Sequence, residues 1–178
     1  MKDVAPQQVV NLTHDFKTWH SYQGTSNDCG PYCVTMVSNG LYRAPLVSAA
    51  ALAEELSHRG LPDRIPGWAT LPWGVVGALR RLGLQARWRF GMSFQHLFDN
   101  LRGDVTTIVI IGEPLRFRNR KWAGWSHYKV LVTWDPGRGL GFVDPGVRYP
   151  PGMSWQDLAE FRREWNWMGR QLVEVRRS

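Results

Sequence analysis

The chain is poor in cysteine, in lysine and in long apolar runs, and each shortage excludes something. Two cysteines, Cys29 and Cys33, in 178 residues cannot build a disulfide framework. Together with five scattered histidines (His14, His20, His58, His96 and His127) they match no zinc-finger spacing; neither a metal nor an organic cofactor is expected. No stretch approaches the ~18 to 20 apolar residues of a membrane span, and Met1 to Gln8 lack the apolar segment of a secretory signal. A cytoplasmic protein without a membrane partner is therefore expected, unless an export segment has been removed. There is no strand–GxxxxGK–helix phosphate loop, no dinucleotide fingerprint, no internal repeat and no low-complexity tract. Acidic residues are also few: 15 against 22 basic ones, a net charge of +7, with arginine far outnumbering lysine.

What is present is an ordinary soluble composition, 43 % hydrophobic and 21 % charged, which excludes disorder, collagen and coiled coil. The length suits a single domain with its own core. The basic surface attracts anions, and ten tryptophans could stack on bases or line a peptide groove. Core packing, with arginine stems over aromatic faces, is the plainer account, and nucleic acid is set aside as the less favoured partner.

Local signals divide the chain in two. Asn27–Asn39 reads as a helix with Asp28 as N-cap, Pro31 in the first turn and Asn39-Gly40 as its end. Further helices are expected over Leu46–His58, Trp73–Leu82 and, capped by Ser93, up to Leu101, with a short strand over Leu84–Phe90. After Gly103 the pattern changes. Val105–Ile111 and His127–Trp134 read as strands, Asp135–Gly139 as a turn and Leu140–Asp144 as the returning strand. Ser154 is expected to cap a last helix to about Trp165, and Gln171–Val175 to close the sheet. Helices first and an antiparallel sheet second is an α+β arrangement, with a helical lobe over about 1–103 and a sheet lobe over about 104–178.

The chemistry concentrates in Gln23-Gly24-Thr25-Ser26-Asn27-Asp28-Cys29-Gly30-Pro31-Tyr32-Cys33. Cys29 would open a helix, where unpaired N–H groups point at its sulfur. A helix end favours a thiolate by only ~0.3 to 1 kcal/mol. A thiolate nucleophile needs its pKa brought from ~8.5 to ~4, roughly 6 kcal/mol at about 1.36 kcal/mol per unit. A cationic imidazole must therefore come from elsewhere. His127, opening a strand, is the best placed of the five histidines, and Asp144, ending the paired strand, could orient its ring. Gln23, six residues before Cys29, could join the Cys29 N–H in an oxyanion hole, and Gly30 could let a substrate backbone approach. Cys33, one turn on, reads as a core residue. The run Arg116-Phe117-Arg118-Asn119-Arg120-Lys121-Trp122 either borders the cleft or forms a solvated hairpin tip.

Gln-x5-Cys followed by a distant strand-opening His and then an Asp resembles the papain-like cysteine peptidases. The text Asn27-Asp28-Cys29-Gly30-Pro31-Tyr32-Cys33, with Ser126-His127-Tyr128-Lys129-Val130-Leu131-Val132 and Phe142-Val143-Asp144-Pro145-Gly146, resembles their bacterial bacteriocin-leader, or double-glycine (C39-like), branch. The resemblance implies a papain-like α+β fold and hydrolysis of a peptide or protein substrate. It makes Cys29 the nucleophile, His127 the base, Asp144 the orienter and Gln23 the oxyanion donor. The chain departs from the pattern at Ser126, where Gly is expected, and at Lys129, which interrupts an apolar strand. Two alternatives stay open: other thiol-dependent amidase or acyltransferase chemistry on the same residues, and a non-catalytic basic binding module.

Overall fold

The computed structural model describes residues 5–65, 68–118 and 121–178; the side chains of 115, 118 and 121–123 also fall outside the description. In chain order the elements are β1 (Val10–Asn11), α1 (Cys29–Tyr42), α2 (Ala49–Arg59), β2 (Arg64–Ile65), β3 (Ala69–Thr70), α3 (Pro72–Arg81), β4 (Leu84–Arg89), α4 (Phe94–Arg102), β5 (Thr106–Arg118), β6 (Lys121–Asp135), β7 (Gly139–Val143), β8 (Met153–Gln156), α5 (Leu158–Trp167) and β9 (Leu172–Arg177). The fold is α+β, with the leading helices followed by a mostly antiparallel sheet. The large sheet runs β4-β9-β5-β6-β7-β8, and β1 takes up the edge of β6 at Thr133 and Trp134, beyond the point where β5 leaves it. Strands β2 and β3 form a separate two-stranded hairpin.

The long β5–β6 pair supplies much of the core. The β-branched run Thr106–Ile111 has little choice but an extended, doubly covered strand, and Ile108, Val109, Val130 and Leu131 are sealed from solvent. Helices α1 and α3 pack onto the sheet, with α2 and the small hairpin against them. Helices α4 and α5 meet through Phe94, Phe161 and Trp165, whose rings contact one another edge-on and stacked.

Five local expectations are corrected. Helix α1 runs past Asn39-Gly40 to Tyr42 and stops with Arg43 in the left-handed region. Asn39 stays helical because its side-chain amide is satisfied by Leu46 N, Val47 N and Val47 O of the following loop. Gly40 is there because Phe16 lies against it: a Cβ would sit 2.4 Å from the ring. Asp28 precedes α1 without making a side-chain cap; its carboxylate pairs with Arg64. Helix α2 begins at Ala49, since Ser48 is its cap, accepting from Ala51 N at 3.2 Å. Ser154 lies in β8, and Asp157 caps α5 by accepting from Ala159 N and Glu160 N. The last strand, β9, is interior and is covered at the edge by β4.

The Arg64–Asp28 pair ties the β2–β3 hairpin to the start of α1, and Arg64 also donates to Thr70 Oγ1 at 2.9 Å. Because the Arg64 side chain is 6 % exposed and Asp28 19 %, removing one charge strands the other. Arg64→Met is expected to lower unfolding free energy in urea by about 3–5 kcal/mol, and Asp28→Asn added to it to recover part of that loss. Equal stability of Arg64→Met and the parent protein would contradict this role.

Candidate active site

Helix α1 starts at Cys29 because the chain before it is held elsewhere: Asp28 by Arg64, and Gln23 by a backbone bond from its N–H to Pro145 O at 2.9 Å. Gly30 does not face a substrate as its size suggested. A Cβ there would meet Thr70 Cβ at 3.0 Å, so its smallness lets the β2–β3 hairpin close on the helix N-terminus. Cys29 is 9 % exposed and borders a cleft of about 440 Å3 with Gln23, Asn27, Trp68, Thr70, Trp125 and His127.

His127 lies on β6 opposite Ile111 of β5, inside a hydrogen-bonded ladder that fixes its backbone. Its Nε2 bonds Asp144 Oδ1 at 2.7 Å, leaving Nδ1 as the other ring nitrogen. Burial alone would disfavour a charged ring. The Asp144 bond and the adjacent Cys29, which acts on the ring by hydrogen bonding and by charge, outweigh it and raise the His127 pKa to about 9.

Asp144 follows directly on β7 and is almost sealed from water. Oδ1 accepts from His127 and, at 2.8 Å, from Gly146 N. Oδ2 accepts from Ser154 Oγ at 3.0 Å and meets Lys129 Nζ at 3.1 Å. Burial pushes this carboxyl toward the neutral form, but the His127 bond, the charges of Lys129 and His127 and the Gly146 N–H hold it well below the usual carboxylate range. Gly146 is needed beside it, since a Cβ would press on Asp144 Oδ1 at 3.1 Å and His127 Nε2 at 3.4 Å. The His20 ring, seated against Gly152, reaches the Asp144 carbonyl with Nε2 at 3.1 Å.

Of the four residues singled out from sequence, Gln23, Cys29 and His127 line one cleft, and Asp144 is buried and bonded to the His127 ring. Gln23 Nε2 donates to Ser26 O at 2.7 Å, and its buried Oε1 has no partner among the described residues. Cys33 is fully buried and gives its S–H to Tyr128 O at 3.3 Å; burial pushes its thiol pKa well up. Sequence reasoning missed Ser154, His20 and the Arg64–Thr70 bracket. Lys129 stands out in the sequence as an interruption of an apolar strand, and its spacing of two from His127 puts both on one face.

Two further cavities, of about 410 and 420 Å3, adjoin the cleft through Trp68 and Ser126 and are mostly apolar, with Phe90, Trp88, Trp125, Trp167 and Met168 in their walls. Arg116 of the basic run lies over the Trp167 ring at 5.9 Å, and Phe117 is exposed. Asn119 and Arg120 lie outside the described residues, as do the side chains of Arg118, Lys121 and Trp122. Among the described residues no cluster of His, Cys, Asp or Glu could hold a metal ion, and no helix is long and apolar enough to cross a membrane.

No family model and no curated protein matches the chain. Solved structures do. A Bacillus anthracis protein assigned as a C39-like peptidase superposes with a TM-score of 0.71 at 16 % identity, over 97 % of this chain and 99 % of that one. The peptidase domain of Streptococcus ComA, a bi-functional ABC transporter of a quorum-sensing pathway, gives 0.57 at 23 % identity, over 89 % and 98 %. A double glycine motif protease from an AMS/PCAT transporter, in complex with the leader peptide, gives 0.59 at 16 % identity, over 97 % and 100 %. The chain thus has the fold of the C39-like peptidases over nearly its whole length.

The raised His127 pKa makes stability depend on pH. Its contribution is present in full below about pH 6.5, the ordinary histidine value, and is lost as pH rises through about 9. Unfolding free energy is expected to fall across that window by on the order of 3 kcal/mol, and Asp144→Asn to flatten the slope. Urea titrations between pH 6 and 10 measure both; a flat parent profile would contradict the coupling.

Proposed function

We propose that the protein is a cysteine peptidase in which Cys29 is the nucleophile, His127 the proton carrier, Asp144 the group that orients His127, and Gln23 an oxyanion donor. The observation that carries this reading is the convergence, beside one open cleft, of a helix-opening thiol with an imidazole whose far nitrogen is held by a buried carboxylate.

The steps follow from the geometry. Cys29 sulfur attacks the substrate carbonyl carbon as a thiolate, and the negative charge passes to the carbonyl oxygen. The Cys29 N–H, unpaired at the first turn of α1, and the Gln23 amide are the donors within the cleft for that oxygen. Collapse breaks the C–N bond, and the His127 imidazolium hands its proton to the departing amine, leaving a thioester on Cys29. Water then attacks the thioester, His127 accepts its proton, and breaking the C–S bond releases the acid and restores the Cys29 thiolate beside the His127 imidazolium. Asp144 keeps the ring aimed throughout, because its bonds to Gly146 and Ser154 leave the carboxylate no freedom to turn.

Two features support a peptide as substrate. The cleft continues into an apolar, aromatic-walled groove, suited to the side chains of an extended chain. One structural relative, the double glycine motif protease, is seen with a leader peptide bound.

A peptide-library digest comparing the parent protein with Cys29→Ala is expected to give cleavage with the first and none with the second. Identical digests would overturn the assignment, and release of ammonia or acyl transfer without peptide cleavage would redirect it to amidase or transferase chemistry. Gln23→Ala is expected to lower kcat by about 100- to 1000-fold with a smaller effect on KM. Independently of substrate, iodoacetamide near neutral pH should modify Cys29 much faster than Cys33, and His127→Ala should slow that reaction. Equal, slow modification of both thiols, read by mass spectrometry, is the contrary result.

A further inference from the structure

Lys129 departs from the apolar pattern of its strand, and the register explains where it goes. Val130 pairs with Val143, so the next residue on each strand, Lys129 and Asp144, face one another. The Lys129 side chain is 14 % exposed and the Asp144 side chain 7 %, with Nζ 3.1 Å from Oδ2. The ammonium also lies 5.5 Å from the centre of the Phe142 ring.

A lysine ammonium is strongly hydrated, and burying one is costly. Neutral donors already hold the carboxylate in place: Ser154 on Oδ2, and Gly146 beside His127 on Oδ1. What Lys129 adds is charge. A thiolate on Cys29 and an imidazolium on His127 sum to zero, and Asp144 then leaves the buried cluster with one uncompensated negative charge. Lys129 returns the sum to zero.

We propose that Lys129 is a positioning residue of this site, whose charge offsets that of Asp144 so that a carboxylate can steer the His127 ring without opposing a thiolate on Cys29. The inference rests on the reading of Cys29 and His127 as the reacting pair. The groups that face the carboxylate are His127 and Lys129 from β6 and Ser154 from β8, and Cys33 of α1 lies near enough to feel its charge. The His20 ring reaches the Asp144 carbonyl from the N-terminal segment. The nearby Asp28 is already neutralised by Arg64.

With Met at 129 the charge of Asp144 acts in full on both partners. His127 then keeps its proton to higher pH, and the sulfur loses its proton less readily. Asn at 144 in the same background removes the charge that Lys129 offsets.

The test is the pH profile of Cys29 alkylation by iodoacetamide in the full chain, quantified separately from Cys33 by mass spectrometry, with the His127 ring titration followed by NMR. Lys129→Met should raise the pH of half-maximal alkylation by about half a unit or more, roughly a threefold loss of rate on the acid side, and should move the His127 titration upward as well. Lys129→Met/Asp144→Asn should return alkylation toward the parent midpoint. A residue that merely packs would move neither midpoint. A folded Lys129→Met with the parent profile overturns the proposal. Should Lys129→Met fail to fold, Asp144→Asn and the double variant carry the same comparison: the double should reach half-maximal alkylation at higher pH, and coincident profiles overturn the proposal. Cys29 no faster than Cys33 at any pH in the parent protein would instead overturn the reading of the reacting pair.

Discussion

A carboxylate shut away from water must be met by donors on all sides, or it will not stay ionised. Much of the architecture around Asp144 answers that demand. The β6–β7 register delivers Lys129 across from it and His127 two residues further along the same face. Strand β8 brings Ser154, and the chain just beyond β7 turns back so that Gly146 N points at Oδ1. The segment before α1 is fastened to the same turn, His20 to the Asp144 carbonyl and Gln23 to that of Pro145. The buried charge thereby fixes the orientation of an imidazole, and the backbone carbonyls of the turn that carries it fix the position of the loop that leads to Cys29.

The other half of the site is a matter of close approach. Helix α1 meets the β2–β3 hairpin at Gly30 with almost no room to spare, and the Arg64–Asp28 pair clamps that contact. Two thiols one helical turn apart end up with opposite character. Cys29 borders the cleft and faces a ring that favours charge, whereas Cys33 is sealed under the sheet with its proton committed to Tyr128 O. The same residue type borders a cleft at one position and is closed off from solvent at the next turn.

Where local chemistry dictates an element, the sequence reveals it. Ser93 and Gly103 bracket α4, Gly83 ends α3, and Asp135–Gly139 turns β6 into β7, each through a cap or turn that acts over four or five residues. Cys29 and His127 border one cleft with Asp144 bonded to the ring, and that neighbourhood is legible through the Gln-x5-Cys, His and Asp segments, whose combined pattern spans distant parts of the chain. Two-residue strands such as β1, β2 and β3 leave no periodicity to read, and their partners lie far along the chain, Val10 with Trp134 for example. Ser154 satisfies every local rule for a helix cap, yet its hydroxyl is used by a carboxylate ten residues away, and Asp157 caps α5 instead. Lys129 was visible as an oddity; its purpose depends on a strand register that no local signal encodes.

The contacts on Asp144 come from residues as early as His20 and as late as Ser154. A chain emerging from the ribosome could wind α1 and expose its leading thiol long before β8 is made. Without β8 the carboxylate lacks one of its fixed donors, and without β6 there is no imidazole to fix. Completion of the site thus waits on the synthesis of β8, so a chain stopped short of that strand would carry Cys29 at a helix end without the full set of donors that holds Asp144 and, through it, the His127 ring.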